Sequence, residues 1–307
     1  MKKTEVCFLK VKNDYLKFLN KEKIFYKSKA AKIKSLKKIY IPISFWIENK
    51  YIKKGKTLFL GFSGGQGSGK TTAVKILKII LKKFFKRKIY IGSIDDFYKT
   101  LKDRNKMSHT IHPLFKTRGV PGTHDINLIK KFFYFIKKKR FKKTRLPKFD
   151  KSIDDRLKKK YWFNIKERPE IVILEGWCVG AQPQSNSLIK KPINTLEKYE
   201  DHELMWRKYI NEKLRREYKK LFAMIDCYIF MKIPNFKMVF KWRLLQENKL
   251  RKKLQFKKKI MSHKEIERFI MFYQRITLQM VKDLSKSASI IMLLKKNHET
   301  KKVLFRF

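Results

Sequence analysis

Residues 64–71 read Gly64-Gly65-Gln66-Gly67-Ser68-Gly69-Lys70-Thr71, the spacing G-x-x-x-x-G-K-[ST] in which a glycine-rich turn opens a helix. Glycines let the backbone close around an anion with its N–H groups pointing inward. The helix N-terminus behind the turn adds positive potential. Such a corner suits the phosphates of ATP. Gly64, Gly65, Gln66, Gly67, Ser68, Gly69 and Thr72 would form the cradle, Lys70 would reach the β- and γ-phosphates, and the Thr71 hydroxyl would bind Mg²⁺. The flanks agree: Leu58–Phe62 reads as a strand before the turn and Thr72–Leu77 as a helix after it.

Two acids stand at the ends of apolar runs further on. Ser93-Ile94-Asp95-Asp96-Phe97-Tyr98 closes one run and Ile171-Val172-Ile173-Leu174-Glu175-Gly176-Trp177 contains the other. Carboxyl ends of strands are where sites assemble in open α/β sheets. There Asp95 could accept the proton of a hydroxyl attacking the γ-phosphate, or simply cap a turn. Asp96 fits either role. Glu175 is placed to organise the Mg²⁺ shell with Thr71, or to end a strand that turns through Gly176. Trp177 reads as a packing residue.

At these residues the chain resembles the D-glycerate 3-kinase-like branch of P-loop kinases, and more distantly uridine kinase, phosphoribulokinase and the P-loop type of pantothenate kinase. Ser93-x-Asp95-x-Phe97-Tyr98 and Leu174-Glu175-Gly176 are shared across the wider group. The closer resemblance rests on Arg118-Gly119-Val120-Pro121-Gly122-Thr123-His124-Asp125 and on Pro147-Lys148-Phe149-Asp150-Lys151-Ser152. The segment around Asn194, Leu196 and Tyr199 and the pair Trp242-Arg243 add to it. The match spans roughly residues 40 to 295. One departure stands out: Ser152-Ile153-Asp154-Asp155-Arg156 is short and lacks the glycine-containing loop usual in the family. The resemblance implies an ATP-dependent kinase with a small-molecule hydroxyl acceptor, D-glycerate first, then a nucleoside or another small polyol.

Arg118, His124 and Asp150 are the candidate acceptor-binding residues. The Arg118 guanidinium is a fork for carboxylate or phosphate oxygens, and its neighbours Gly119 and Gly122 suggest a mobile loop. His124 could hydrogen-bond a hydroxyl or orient Asp125. Thr123 or Asp125 could equally cap the helix that starts at Ile126. Asp150, Lys151 and Arg156 form a charged cluster that a solvated loop would also explain. Arg243 and Arg251 sit on a helical pattern that could close over ATP. The remaining histidines, His298 among them, show no metal-ligand spacing.

The elements that must position these residues are legible from period and length. Thr57–Phe62, Lys88–Ser93, Ile171–Leu174, Ile225–Lys232 and Ser289–Leu294 are continuous apolar runs, as strands buried on both faces require. Helical patterns separate them, so the expectation is a three-layer α/β fold with a mostly parallel five-stranded sheet. Residues 1–55 read as a helical lead-in and 56–307 as the main domain. Ile43, Trp46 and Ile47 mark the buried face of a helix in the lead-in, and Lys32–Lys38 reads as solvated. The long polar stretch from 98 to 168 should carry function.

Composition narrows the setting. The 307 residues carry 79 Lys and Arg against 26 Asp and Glu, a net charge of +53. The 64 lysines are scattered beside abundant Ile, Phe, Tyr and Asn, so compositional drift explains the charge, with nucleic-acid or anionic-membrane binding as the alternative. No specific nucleic-acid partner is expected and no oligomeric state is indicated. Cys7, Cys178 and Cys227 have neither disulfide nor zinc spacing, which suits a reducing cytoplasm. No signal peptide or membrane span is expected. The rival classes are a nucleic-acid-associated NTPase and a non-catalytic nucleotide-binding protein.

Overall fold

A computed structural model describes residues 1–24, 26, 28–138, 140–253 (249–253 as backbone) and 261–306. Its strands, in chain order, are β1 (Leu58–Gly64), β2 (Ile89–Ser93), β3 (Thr144–Leu146), β4 (Phe149–Asp150), β5 (Asp155–Arg156), β6 (Phe163–Ile165), β7 (Ile171–Gly176), β8 (Cys227–Lys232), β9 (Ile290–Leu294) and β10 (Thr300–Phe305). The main sheet runs β10-β9-β8-β1-β7-β2. Its first five strands in sequence are parallel, and β10 pairs antiparallel with β9 at the edge.

The sheet therefore has six strands where five were expected. β10 escaped the reading because Lys301 and Lys302 interrupt it and every residue in it is at least partly exposed. An edge strand with one solvated side lacks the continuous apolar run that marks a central one.

Alternation along the central strands divides the core into two layers. Phe59, Val172 and Leu174 face one layer, and Leu58, Leu60, Phe62, Ile171 and Ile173 face the other. Helices α1 (Lys3–Lys21), α2 (Lys29–Ser35), α3 (Ile41–Lys54) and α4 (Lys70–Lys83) follow in sequence on the second side. There Val11 and Tyr15 of α1, and Ile43 and Ile47 of α3, join Ile76, Leu77 and Ile80 of α4. A π-helical turn, Leu36–Tyr40, carries α2 into α3.

The opposite layer holds α5 (Leu101–Thr110), α6 (Ile126–Lys137) and the short helices α7 (Asn186–Lys190) and α8 (Thr195–Tyr199). α9 (Met205–Lys213) continues through a π turn, Leu214–Tyr218, into α10 (Lys219–Phe222). α11 (Lys237–Lys253) and α12 (His263–Ser287) complete the fold, and a reciprocal Ser262–Glu265 capping box starts α12. Among the described residues, 98–168 form no strand of the main sheet. They build α5, α6 and two small antiparallel pairs, β3–β6 and β4–β5. Among the described residues, no helix is long and apolar enough to cross a membrane.

Candidate active site

The site follows from sheet register. β7 lies between β1 and β2, and Glu175 is level with Phe62 on one side and Ser93 on the other. All three strands are parallel, so the loop after Gly64, the acid Glu175 and the turn bearing Asp95 emerge together at the carboxyl edge.

The glycine-rich turn is shaped by its own hydrogen bonds. The Ser68 N–H donates to the Gly65 carbonyl at 3.2 Å, with Gly67 at φ +72° and Gly69 at φ +92°. These are left-handed values that side chains resist. Gly69 then precedes α4, whose first N–H groups have no intrahelical acceptors. The Lys70 ammonium folds back onto the Gly65 carbonyl at 3.0 Å. Thr71 donates its hydroxyl hydrogen to Glu175 Oε1 at 2.8 Å. Burial lowers the Lys70 ammonium and raises the Glu175 carboxyl, and their mutual attraction opposes both shifts. Ser63 Oγ, Ser68 Oγ and the Gln66 amide are buried without a hydrogen-bond partner among the described residues. Orphaned polar atoms of this kind are costly unless a ligand or water meets them. The cradle thus fits a polyphosphate, and the hard oxygen donors of Thr71 and Glu175 fit Mg²⁺.

Asp95 sits in a 3₁₀ turn capped by Ser93, whose hydroxyl accepts the Asp95 N–H at 3.3 Å. Because Ser93 does the capping, the Asp95 carboxylate is released from that duty. It accepts hydrogen bonds from Lys151 Nζ at 2.8 Å and from the Tyr98 hydroxyl at 2.9 Å. Burial works to raise this carboxyl, but Lys151, with the Tyr98 hydrogen bond, holds it below its ordinary value. Asp96 is different: it accepts the Phe149 N–H at 3.3 Å, and burial pushes it up to about 6. Asp96 therefore supports the β4–β5 hairpin, while Asp95 faces Lys151 and the field of Lys70.

The Arg118–Asp125 segment is pinned rather than mobile. Trp177 Nε1 donates to the Gly119 carbonyl at 3.1 Å, Tyr273 to the Arg118 carbonyl at 3.2 Å, and the Gly122 N–H to the Tyr218 hydroxyl at 3.0 Å. Thr123 Oγ1 closes the turn on the Val120 carbonyl at 2.7 Å. The glycines serve close packing here: a side chain at Gly119 would strike the Tyr273 ring. His124 is 1% exposed, stacks on Tyr98 at 4.6 Å and meets the Tyr218 hydroxyl through Nδ1 at 2.6 Å. Burial lowers its pKa to about 4, so the ring is neutral. Asp125 is the N-cap of α6, accepting the Leu128 N–H at 3.2 Å.

Arg118 presents its guanidinium over the Phe149 ring and pairs with Asp154. Asp154 also meets the fully buried Arg104 at 3.1 Å. Asp150 accepts hydrogen bonds from Ser152 and so holds the β4–β5 turn. Arg243 pairs with Glu247 on its own helix and lies 5.2 Å from the Phe269 ring; the Arg251 side chain lies outside the described residues. Sequence reasoning did not assign site roles to Tyr98, Asp154, Tyr218 and Tyr273. Tyr98 lies in the Asp95 motif itself, three residues on, whereas Asp154, Tyr218 and Tyr273 reach the site by packing from distant elements and leave no local spacing signal.

No family model matches the chain. The structure is similar to D-glycerate 3-kinase from Cryptococcus neoformans, with a TM-score of 0.73 at 23% identity, covering 87% of this chain and 99% of that one; this likeness shows the fold. The "D-glycerate 3-kinase, chloroplastic" of Arabidopsis thaliana is 29% identical over 251 residues, 76% of this chain and 52% of that protein. The "Probable ATP-dependent kinase TDA10" of Saccharomyces cerevisiae is 31% identical over 272 residues, 82% of this chain and 85% of the yeast protein. With that identity over most of both chains, and with the phosphate cradle and both strand-end acids in place, this chain belongs to the D-glycerate 3-kinase-like family of P-loop kinases.

Proposed function

We propose that the chain transfers the γ-phosphate of ATP to the hydroxyl of a small hydroxy acid, D-glycerate being the first candidate. The observation that carries this reading is that β1, β7 and β2 are adjacent and parallel, so the turn leading to Lys70, Glu175 itself and the turn bearing Asp95 leave the same edge of the sheet. The loop amides and Lys70 bind the phosphates, with Gln66, Ser68 and Thr72 at the cradle. Thr71 and Glu175 would hold Mg²⁺, which would supply positive charge to neutralise the phosphates. The acceptor oxygen forms its bond to the γ-phosphorus as the bond to the β–γ bridging oxygen breaks. ADP keeps that oxygen, and the hydroxyl proton passes to Asp95. A carboxylate held ionised by Lys151 suffices, because the transition state is loose and catalysis is mainly positioning and charge neutralisation.

Arg118 is the acceptor's carboxylate clamp, presented by the loop that Trp177, Tyr218 and Tyr273 fix. His124, neutral and enclosed, keeps Tyr98 in place beside Asp95. Asp150 contributes by shaping the hairpin that delivers Lys151. The name of the Arabidopsis relative supports glycerate. The free, buried thiols of Cys7, Cys178 and Cys227 support a reducing cytoplasm.

The test is coupled ADP release with glycerate, nucleosides, pantothenate and sugars. Glycerate should give the highest kcat/KM. Lys70→Ala should lower kcat by about 10²-fold or more, and Asp95→Asn by about 10²–10⁴-fold. Turnover that survives Lys70→Ala would remove the proposed site.

A further inference from the structure

The phosphate turn is rich in glycine, and glycine has little preference of its own for one backbone shape. Something must select the shape that binds. The Gly67–Ser68 peptide is held at both ends. Its N–H reaches the Gly65 carbonyl at 3.2 Å, and its carbonyl faces His298 Nε2 at 2.9 Å. A carbonyl oxygen only accepts, so Nε2 carries the hydrogen. His298 lies 231 positions from Gly67, on the turn between β9 and β10. That turn is itself braced. The Lys295 N–H donates to the Glu299 carbonyl at 2.8 Å. Trp242 Nε1 donates to the Lys296 carbonyl at 2.9 Å, and the Trp242 ring stacks on His298 at 4.4 Å and 28°. Trp242 also backs the cradle directly, since a Cβ at Gly67 would come within 2.8 Å of its own Cβ.

We propose that His298 is a positioning residue for the nucleotide. From the edge hairpin it fixes the Gly67–Ser68 peptide, and with Trp242 it keeps the cradle in the single conformer that accepts phosphates. The inference rests on the reading of residues 64–71 as the ATP site. It assigns to a residue without ligand spacing a role in ATP affinity and none in acceptor binding. If the peptide is freed, the competent conformer becomes one of several, and the apparent Kd rises by the inverse of its population.

The experiment is titration calorimetry of the full chain with MgATP and with MgADP, beside acceptor KM at saturating ATP. His298→Ala should weaken both nucleotides about five- to tenfold, the range that one lost hydrogen bond supports, and leave acceptor KM unchanged. His298→Gln keeps an N–H donor at similar reach and should bind within about twofold of the parent. A hairpin defect would instead lower the melting temperature of both variants alike. If His298→Ala binds as the parent does, or if Gln fails to restore affinity, the inference is wrong. Lys70→Ala separates the two readings. Weakened binding there with normal binding in His298→Ala sinks only the role of His298, whereas unchanged binding in Lys70→Ala sinks the cradle itself.

Discussion

Asp154 holds a left-handed backbone at φ +55° without being glycine, and its carboxylate joins Arg104 to Arg118. Non-glycine residues reach this region at a cost that must be offset locally, and two guanidinium partners provide the offset. The pairing has a consequence for the proposed acceptor. Asp154 already engages Arg118 Nη1 and offsets part of its charge, so the protein carries its own competitor for an anionic substrate. Asp154→Asn keeps the size and removes the charge. Its KM for glycerate should fall by up to about tenfold, the worth of one charge-assisted contact, while KM for a neutral polyol stays as it was. Acceptor kinetics on the parent and on Asp154→Asn check this; a parallel change for charged and neutral acceptors would mean that Asp154 only shapes the hairpin. Little of this was legible in the sequence. Asp154 read as part of a glycine-free departure in a loop, because a bridge to Arg104 and Arg118 spans 50 and 36 positions and leaves no local pattern.

At the scale of elements the sequence was far more informative. All five apolar runs became parallel strands and the main helical patterns became helices, because two-sided burial and a 3.6-residue stripe leave a composition signature. The shape of the glycine-rich turn was legible for the same reason: it is made by consecutive residues, with Gly67 and Gly69 at positive φ. What the run and stripe cannot encode is how the turns pack on one another. Gly176 shows this. It ends β7 beside Ile94, and a Cβ there would lie 2.4 Å from Ile94 Cγ2 and 3.0 Å from Val179 Cγ2. Ile94 immediately precedes Asp95, so crowding at Gly176 moves the turn that carries the proposed base. Gly176→Ala should lose about 1–3 kcal/mol of stability by overpacking. It should also lower kcat more than it raises KM for ATP, because Asp95 shifts while the cradle does not. Thermal melting with steady-state kinetics would show this. An alanine variant with the parent's melting temperature and kcat would mean that Ile94 yields without moving Asp95.

The whole molecule joins a well-partitioned interior to an unbalanced surface. Helices α1, α2, α3 and α4 and one face of the sheet share a single apolar layer, so burial ties the described N-terminal helices to the sheet. Across the chain, 79 basic groups meet only 26 acidic ones, and most of the surplus is on the surface. Many of the acids are already engaged, as in Lys37–Glu5, Lys75–Glu22 and Arg268–Glu200. The surplus cations repel one another and attract any polyanion. Such attraction follows from charge density alone and needs no recognition surface, which separates it from the function of the site. Duplex DNA or RNA should therefore bind the chain at about 50 mM salt and lose about 10³–10⁵ in affinity by about 200 mM, as counterion release dictates. Kinase turnover should be indifferent to nucleic acid at the higher salt, because the phosphate cradle and Asp95 are organised by neighbours within the fold. Filter binding across a salt series, run beside ADP release, measures both. Stimulation of ATP turnover by RNA or DNA that persists at 200 mM would show instead that the charge serves the site, and that the acceptor chemistry has been read on too small a scale.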